Sequence, residues 1–201
     1  MAAASLAFPT NRQLSSAMLW AARVVAVLAG SSLLWVSAKV QVPLFPVPIT
    51  MQTYVVLTLG ALLGWRLGGA TILAYLAEGA LGLPVFAGTP ANGLGLIYMA
   101  GPTGGYLAGY VAAVLVVGAL AERGWIRTLY GTTATMLIGE VAILGLGSGW
   151  LVALLGWDKA LAFGVGPFLY GDALKIVLAA GSVYAVGQLG AQRLAHRTPR
   201  G

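Results

Sequence analysis

Six apolar runs, at about residues 17–38, 50–65, 68–83, 102–121, 129–155 and 167–190, occupy most of this 201-residue chain and constrain its fold more than any motif does. A helix of about 20 apolar residues, rising 1.5 Å per residue, crosses the ~30 Å hydrocarbon layer of a bilayer. Inside that layer backbone N–H and C=O groups find no water and have to be satisfied within the segment. Composition agrees: 59% of residues are hydrophobic and 8% charged, against about a quarter charged in soluble domains. The expected fold class is an all-α integral membrane protein, a six-transmembrane-helix bundle with irregular extracytoplasmic loops. It forms a single membrane domain over 1–201, divided into a cytoplasmic N-terminal segment (1–16), the bundle (17–190) and a basic cytoplasmic tail (191–201).

The breaks between runs carry topological information. Pro43, Pro46 and Pro48 in QVPLFPVPIT withhold helical hydrogen bonds, which predicts an extended or re-entrant loop after the first helix. A second irregular stretch, GLPVFAGTPANGLGLIYMAGPTGG, follows the third run, and non-helical backbone this apolar belongs where protein buries it or where it lines a cavity. With both termini cytoplasmic, Arg12, Arg66, Arg123, Arg127, Arg193, Arg197 and Arg200 fall inside, leaving Lys39 and Lys159 for the outer connections. That is the orientation the positive-inside rule selects. The N-terminus also resembles a secretory signal peptide loosely, but Trp35 and the leucines before it prolong the apolar run beyond a cleavage region.

Several function classes fit poorly. The net charge is +6, yet the basic residues are scattered singly, as topology signals and headgroup contacts, and form no patch with interleaved aromatics for nucleic acid. There is no cysteine and a single histidine, His196, so thiol chemistry is excluded and a His/Cys metal site is not expected. No Ser/His or Cys/His set supports catalysis, no catalytic residue is assigned, and AGPTGGYL lacks the Lys-Ser/Thr sequel of a phosphate-binding loop. ALLGW occurs at 61–65 and 153–157 without matching surroundings and is read as coincidence.

Charge inside the apolar runs is the informative exception. Asp172 and Lys175, in PFLYGDALKIVL, are three residues apart and share a helix face. Lys175 is about eight residues, roughly 12 Å, beyond Pro167. Charges at that depth cost several kcal/mol and mark a polar ligand site or ion path, with a self-neutralising structural pair as the other reading. VPITMQTY places Thr50, Gln52, Thr53 and Tyr54 directly after the prolines. Gln52 offers a donor and an acceptor to a ligand with amide-like groups, or these residues cap a helix start. Glu78 and Glu140 are protonated, hydrogen-bonded or cavity-facing, three possibilities that stay open. Arg23 snorkels to cytoplasmic headgroups. Ala17/Ala21, Ala22/Ala26 and Ala26/Gly30 form small-residue stripes that admit a close helix neighbour, within the bundle or from a partner.

Four strings, KVQVPLFPVPITMQ, GLPVFAG, GPTGGYLAGY and YGDALK, occur in this order and resemble the biotin-specific S components (the BioY family) of energy-coupling factor vitamin transporters, over roughly residues 35 to 190. The resemblance implies a six-helix bundle in the bacterial cytoplasmic (inner) membrane that binds biotin from the outside. It also implies docking onto a transmembrane coupling protein and two ATPase subunits, which would drive translocation; this chain would be no enzyme and need no cofactor. It assigns Asp172 and Lys175 to biotin, residues 41 to 52 to a lid, Asn92 to a polar contact in the loop after helix three, and Ala17, Ala21, Ala22 and Ala26 to the coupling-protein face. Biotin presents two ureido N–H donors, a carbonyl, an apolar thioether ring and a carboxylate tail. An ionised Asp172 accepts from N–H and Lys175 donates to the carbonyl, or alternatively to the carboxylate. Tyr106, Phe86 and Tyr170 are the expected apolar walls, with Thr50 beside Gln52 at the mouth. Other readings are a carrier for another vitamin, an ion-coupled carrier relaying protons through Glu78, Glu140 or Asp172, and a membrane scaffold with a structural Asp–Lys pair.

Overall fold

The first helix, α1 (Ser16–Lys39), starts where Ser15 Oγ accepts the Met18 N–H at 3.3 Å, satisfying one of the free donors of a helix start. In this computed structural model residues 15–197 are described, with side chains through 190; most of the 1–16 segment and the side chains of the 191–201 tail lie outside them. After α1, a two-residue strand pair, β1 (Gln41–Val42) and β2 (Ile49–Thr50), pairs antiparallel with Gln41 opposite Thr50. The three prolines fall at the ends of the loop between the strands or within it, where no ladder donor is needed.

The runs expected at 50–65 and 68–83 form one element, α2 (Gln52–Ala80), broken at Gly64, whose φ of 75° and ψ of 174° interrupt the helix. Gln52 Nε2 donates to Tyr75 Oη at 2.7 Å although the residues are 23 positions apart; a straight helix would hold them about 35 Å apart. The arms on either side of Gly64 therefore fold back on one another. A positive φ favours glycine at this turn, and Arg66 stacks its guanidinium over Trp65 at 4.9 Å beside it.

The second irregular stretch contains a short helix, α3 (Gly95–Ala100), ahead of α4 (Gly104–Glu122). A 3₁₀ turn at Trp125–Arg127 leads into α5 (Leu129–Leu155), capped by Thr128 Oγ1, which accepts from the Gly131 N–H at 3.1 Å. The connection expected after α5 is itself helical, α6 (Trp157–Gly164), and α7 (Phe168–Arg197) runs seven positions past the expected end at 190. Five helices among the described residues, α1, α2, α4, α5 and α7 through Gly190, are long and apolar enough to cross a membrane.

The core lies where α4 is flanked by α2 and α5. Val56, Leu57, Val114, Val117, Met136 and Ile143 are fully buried there. Leu73, Val116, Ile138, Val141, Leu174 and Val177 project outward and remain exposed, as expected of helices whose solvent is hydrocarbon. Gly118 brings α4 against the α2 turn so closely that a Cβ would stand 2.6 Å from Gly64 C and from Trp65 Cα.

Two polar clasps join α1 to the bundle. Ser31 Oγ donates to Glu78 Oε2, so Glu78 is hydrogen-bonded. Lys39 Nζ donates to the carbonyl of Phe86 at 2.9 Å and to Thr89 Oγ1 at 3.1 Å. Lys39 thus joins the end of α1 to the loop that follows α2.

Candidate ligand-binding site

Asp172 and Lys175 occupy the first two turns of α7, on the face turned into the bundle, and are 2% and 4% exposed. Lys175 Nζ donates to Asp172 Oδ1 at 2.8 Å, while the other carboxylate oxygen, Oδ2, is buried without a partner. Removing two charges from water costs several kcal/mol per ion, and the pair offsets this well only when its remaining hydrogen-bonding positions are filled. Two further ammonium hydrogens and Oδ2 are available to a guest.

The pair faces a cavity between α2, α4, α5 and α7 that is partly open to the outside. The proline loop and the start of α2 supply one wall through Thr50, Gln52 and Thr53. Thr50 Oγ1 accepts the Gln52 N–H at 3.2 Å, and Gln52 Nε2 donates to Tyr75 Oη, which donates in turn to the Val85 carbonyl at 3.0 Å. This chain of bonds fixes the Gln52 amide and ties the mouth to the loop after α2. That loop adds Phe86, whose ring stacks on Tyr98 at 4.9 Å. Across the cavity Tyr106 of α4 stacks on Phe168 of α7 at 5.6 Å, its hydroxyl donating to the Gly164 carbonyl at 2.7 Å. The lining is mostly apolar with a few converging polar groups, the usual make-up of a site for a small organic ligand.

The model of the BioY family matches residues 10–192 of the sequence. The chain belongs to the BioY family. The BioY relatives include the probable biotin transporter BioY of Pyrococcus horikoshii, 39% identical over 72% of this chain and 83% of that one. The biotin transporter BioY of Thermotoga maritima is 34% identical over 75% of this chain and 86% of that one. A crystal structure of the S-component for biotin from an ECF-type ABC transporter shares the fold, with a TM-score of 0.68 at 20% identity, covering 87% of this chain and 95% of that one.

In this BioY-family chain the cavity wall includes Thr50, Gln52, Phe86, Tyr106, Asp172 and Lys175 from among the residues expected of the site. Tyr170 corrects the expectation of a third aromatic wall. It is 90% exposed, because two positions before Asp172 is about 200° around the helix and points away from the cavity. Phe168, four positions before Asp172, takes the wall instead. Asn92 does not reach the cavity either. It lines a separate outer hollow with the proline loop, joined to the first by the shared walls Tyr98 and Thr103.

The alanines of α1 also divide. Ala17 and Ala21 are exposed, whereas Ala22 and Ala26 are half-buried on the side leading to Gly30, which abuts Thr71 of α2. The four thus differ in exposure along α1, and of this stretch Gly30 is the position that packs against α2. Residues absent from the expected set are Tyr110, four positions after Tyr106 and on the same face, and Glu140 of α5.

Proposed function

We propose that this chain is the substrate-capture subunit of a biotin uptake transporter, taking biotin into the Asp172–Lys175 cavity from the outer face. The observation that carries this reading is the buried Asp172–Lys175 pair on the wall of a mostly apolar cavity, in a family whose curated relatives are named for biotin. Oδ2 accepts a ureido N–H, Lys175 donates to the ureido carbonyl, and the bicyclic ring lies against Phe86, Tyr106 and Phe168. Gln52, held by Tyr75, closes the mouth. Each charge of the pair then has a partner on both sides, so the neutral head group needs no net charge to be selected. Native mass spectrometry of the detergent-purified protein tests the reading directly: an adduct of biotin's mass is expected, and none after incubation with excess biotin would refute it.

The arrangement in the membrane is part of the same proposal. The two arms of α2 count as separate crossings, giving six, with both termini cytoplasmic in a single membrane domain of the cytoplasmic membrane. The arms are about 18 and 24 Å long at 1.5 Å per residue, so the loop residues beyond them complete the passage. Asp172, Lys175 and both irregular loops then lie toward the outside, and the Gly64 turn with Arg66 toward the cytoplasm. Energy for translocation comes from a transmembrane coupling protein and two ATPase subunits rather than from this chain. Since the sequence contains no cysteine, single cysteines introduced at Arg66 and at Leu96 will report the sides cleanly. A membrane-impermeant maleimide applied to intact cells is expected to label Leu96→Cys and spare Arg66→Cys, and the reverse pattern would invert the topology.

A further inference from the structure

Lys39, the last residue of α1, donates from its ammonium group to the Phe86 carbonyl at 2.9 Å, to Thr89 Oγ1 at 3.1 Å and to the Thr89 carbonyl at 3.4 Å. An ammonium group has three donors, so all of them are committed, and none to a carboxylate. A lysine at a helix end ordinarily keeps its head in water. Here charge-assisted bonds run instead to neutral oxygens of a single loop. That loop is irregular: Gly82, Gly88 and Gly93 have positive φ, and Pro84 and Pro90 lack an N–H. Its Phe86 carbonyl accepts the Thr89 hydroxyl at 2.7 Å as well, so one bond to this oxygen comes from within the loop and one from α1. The Phe86 ring is 1% exposed, stacks on Tyr98, meets Tyr75 edge-on at 5.5 Å and fills the space that a Cβ at Gly79 would need. The oxygen that Lys39 holds and the ring that walls the cavity therefore belong to one residue, while Lys39 itself is no part of the wall.

We propose that Lys39 is a positioning residue for the ligand: it fixes the Phe86 main chain, and with it the ring, before the ligand arrives. This rests on the biotin reading above and adds a determinant of affinity that lies outside the cavity and touches no part of the guest. Without the ammonium group the Phe86 carbonyl turns to water and residues 86–89 gain conformations. The ligand then has to order the wall against which it binds, and its affinity falls by that cost.

Titration calorimetry on the purified protein tests this through a double-mutant cycle. Lys39→Met is expected to weaken biotin roughly three- to tenfold, the scale of ordering one side chain. In a Phe86→Leu background the same substitution is expected to cost less than about twofold, because the ring through which Lys39 acts is gone. Lys39→Arg, which keeps the donors and the charge, should restore most of the affinity. The loss from Lys39→Met should be the same for biotin methyl ester, whose tail is neutral. With fluorophenylalanine incorporated, the fluorine resonance of Phe86 is expected to shift or broaden in the ligand-free Lys39→Met protein while that of Phe168, across the cavity, stays in place. Should Lys39→Met not accumulate, Thr89→Val removes the other hydroxyl-mediated half of the clasp at constant shape, and the same dependence on Phe86 is expected. Equal losses with and without the Phe86 ring, or equal changes at Phe86 and Phe168, would make Lys39 a general structural residue. A loss that disappears with the methyl ester would place its charge on the ligand's carboxylate, and undiminished biotin affinity would leave it no part in binding; each of these results overturns the proposal. Failure of the unsubstituted protein to bind biotin would instead overturn the functional reading on which it rests.

Discussion

Lys175→Met will abolish measurable biotin capture while leaving the bundle folded. The side chain is buried and bonded to Asp172 at 2.8 Å, and Met replaces its four-carbon stem without the ammonium group. Removing one partner of a buried pair strands the other at a cost of about 3–5 kcal/mol, and each 1.4 kcal/mol or so is a factor of ten in affinity. A stranded Asp172 draws water into the cavity, and that water competes with the ureido N–H for its oxygens. Calorimetry should therefore show a loss of more than about a hundredfold. The double variant Asp172→Leu/Lys175→Met strands no charge and is expected to melt at or above the wild-type temperature while still failing to bind. That combination distinguishes a ligand site from a clamp. Affinity of Lys175→Met within threefold of wild type would exclude the pair from the site.

The second large effect is on folding. Gly118→Val is expected to prevent the protein from accumulating in the membrane, because even its first side-chain carbon would stand 2.6 Å from main-chain atoms of Gly64 and Trp65. Those atoms form the turn of α2, whose left-handed φ at Gly64 leaves them little room to move. Overpacking a well-filled core with a methyl or two costs about 1–3 kcal/mol when side chains can give way, and more when backbone must. Gly181 of α7 provides the control, since a Cβ there meets nothing within 4 Å, and Gly181→Ala should change the detergent melting temperature little. Equal accumulation of Gly118→Val and Gly181→Ala would show that the α2–α4 contact is looser than described.

Hydrocarbon-length runs made α1, α4, α5 and α7 legible in the sequence, since each is continuous and bounded by glycine, proline or charge. The Asp172–Lys175 contact was equally legible, because an i,i+3 spacing on a helix leaves little freedom. Glu140 was not. Whether a lone acid on an apolar helix faces a cavity depends on the rotation of α5, which is set by its packing against α4 and α7 and has no local signature. Helical periodicity alone turns Tyr170 away from Asp172 and selects Phe168, so the aromatic wall on α7 is legible as well. The α2 turn is an intermediate case: two apolar runs were visible, but that a single glycine folds one back on the other follows from its close approach to Gly118.

The bonds from Lys39 have a mechanical consequence. A hinge at the top of α1 would ordinarily let that helix swing independently of the rest of the protein. Here the ammonium at its end grips the main chain at Phe86 and the Thr89 hydroxyl, so a tilt of α1 pulls directly on the residue whose ring walls the cavity. A displacement of α1 thus reaches the cavity wall at Phe86 through this side chain, besides the Ser31–Glu78 bond and the Gly30–Thr71 contact that tie the helix to α2.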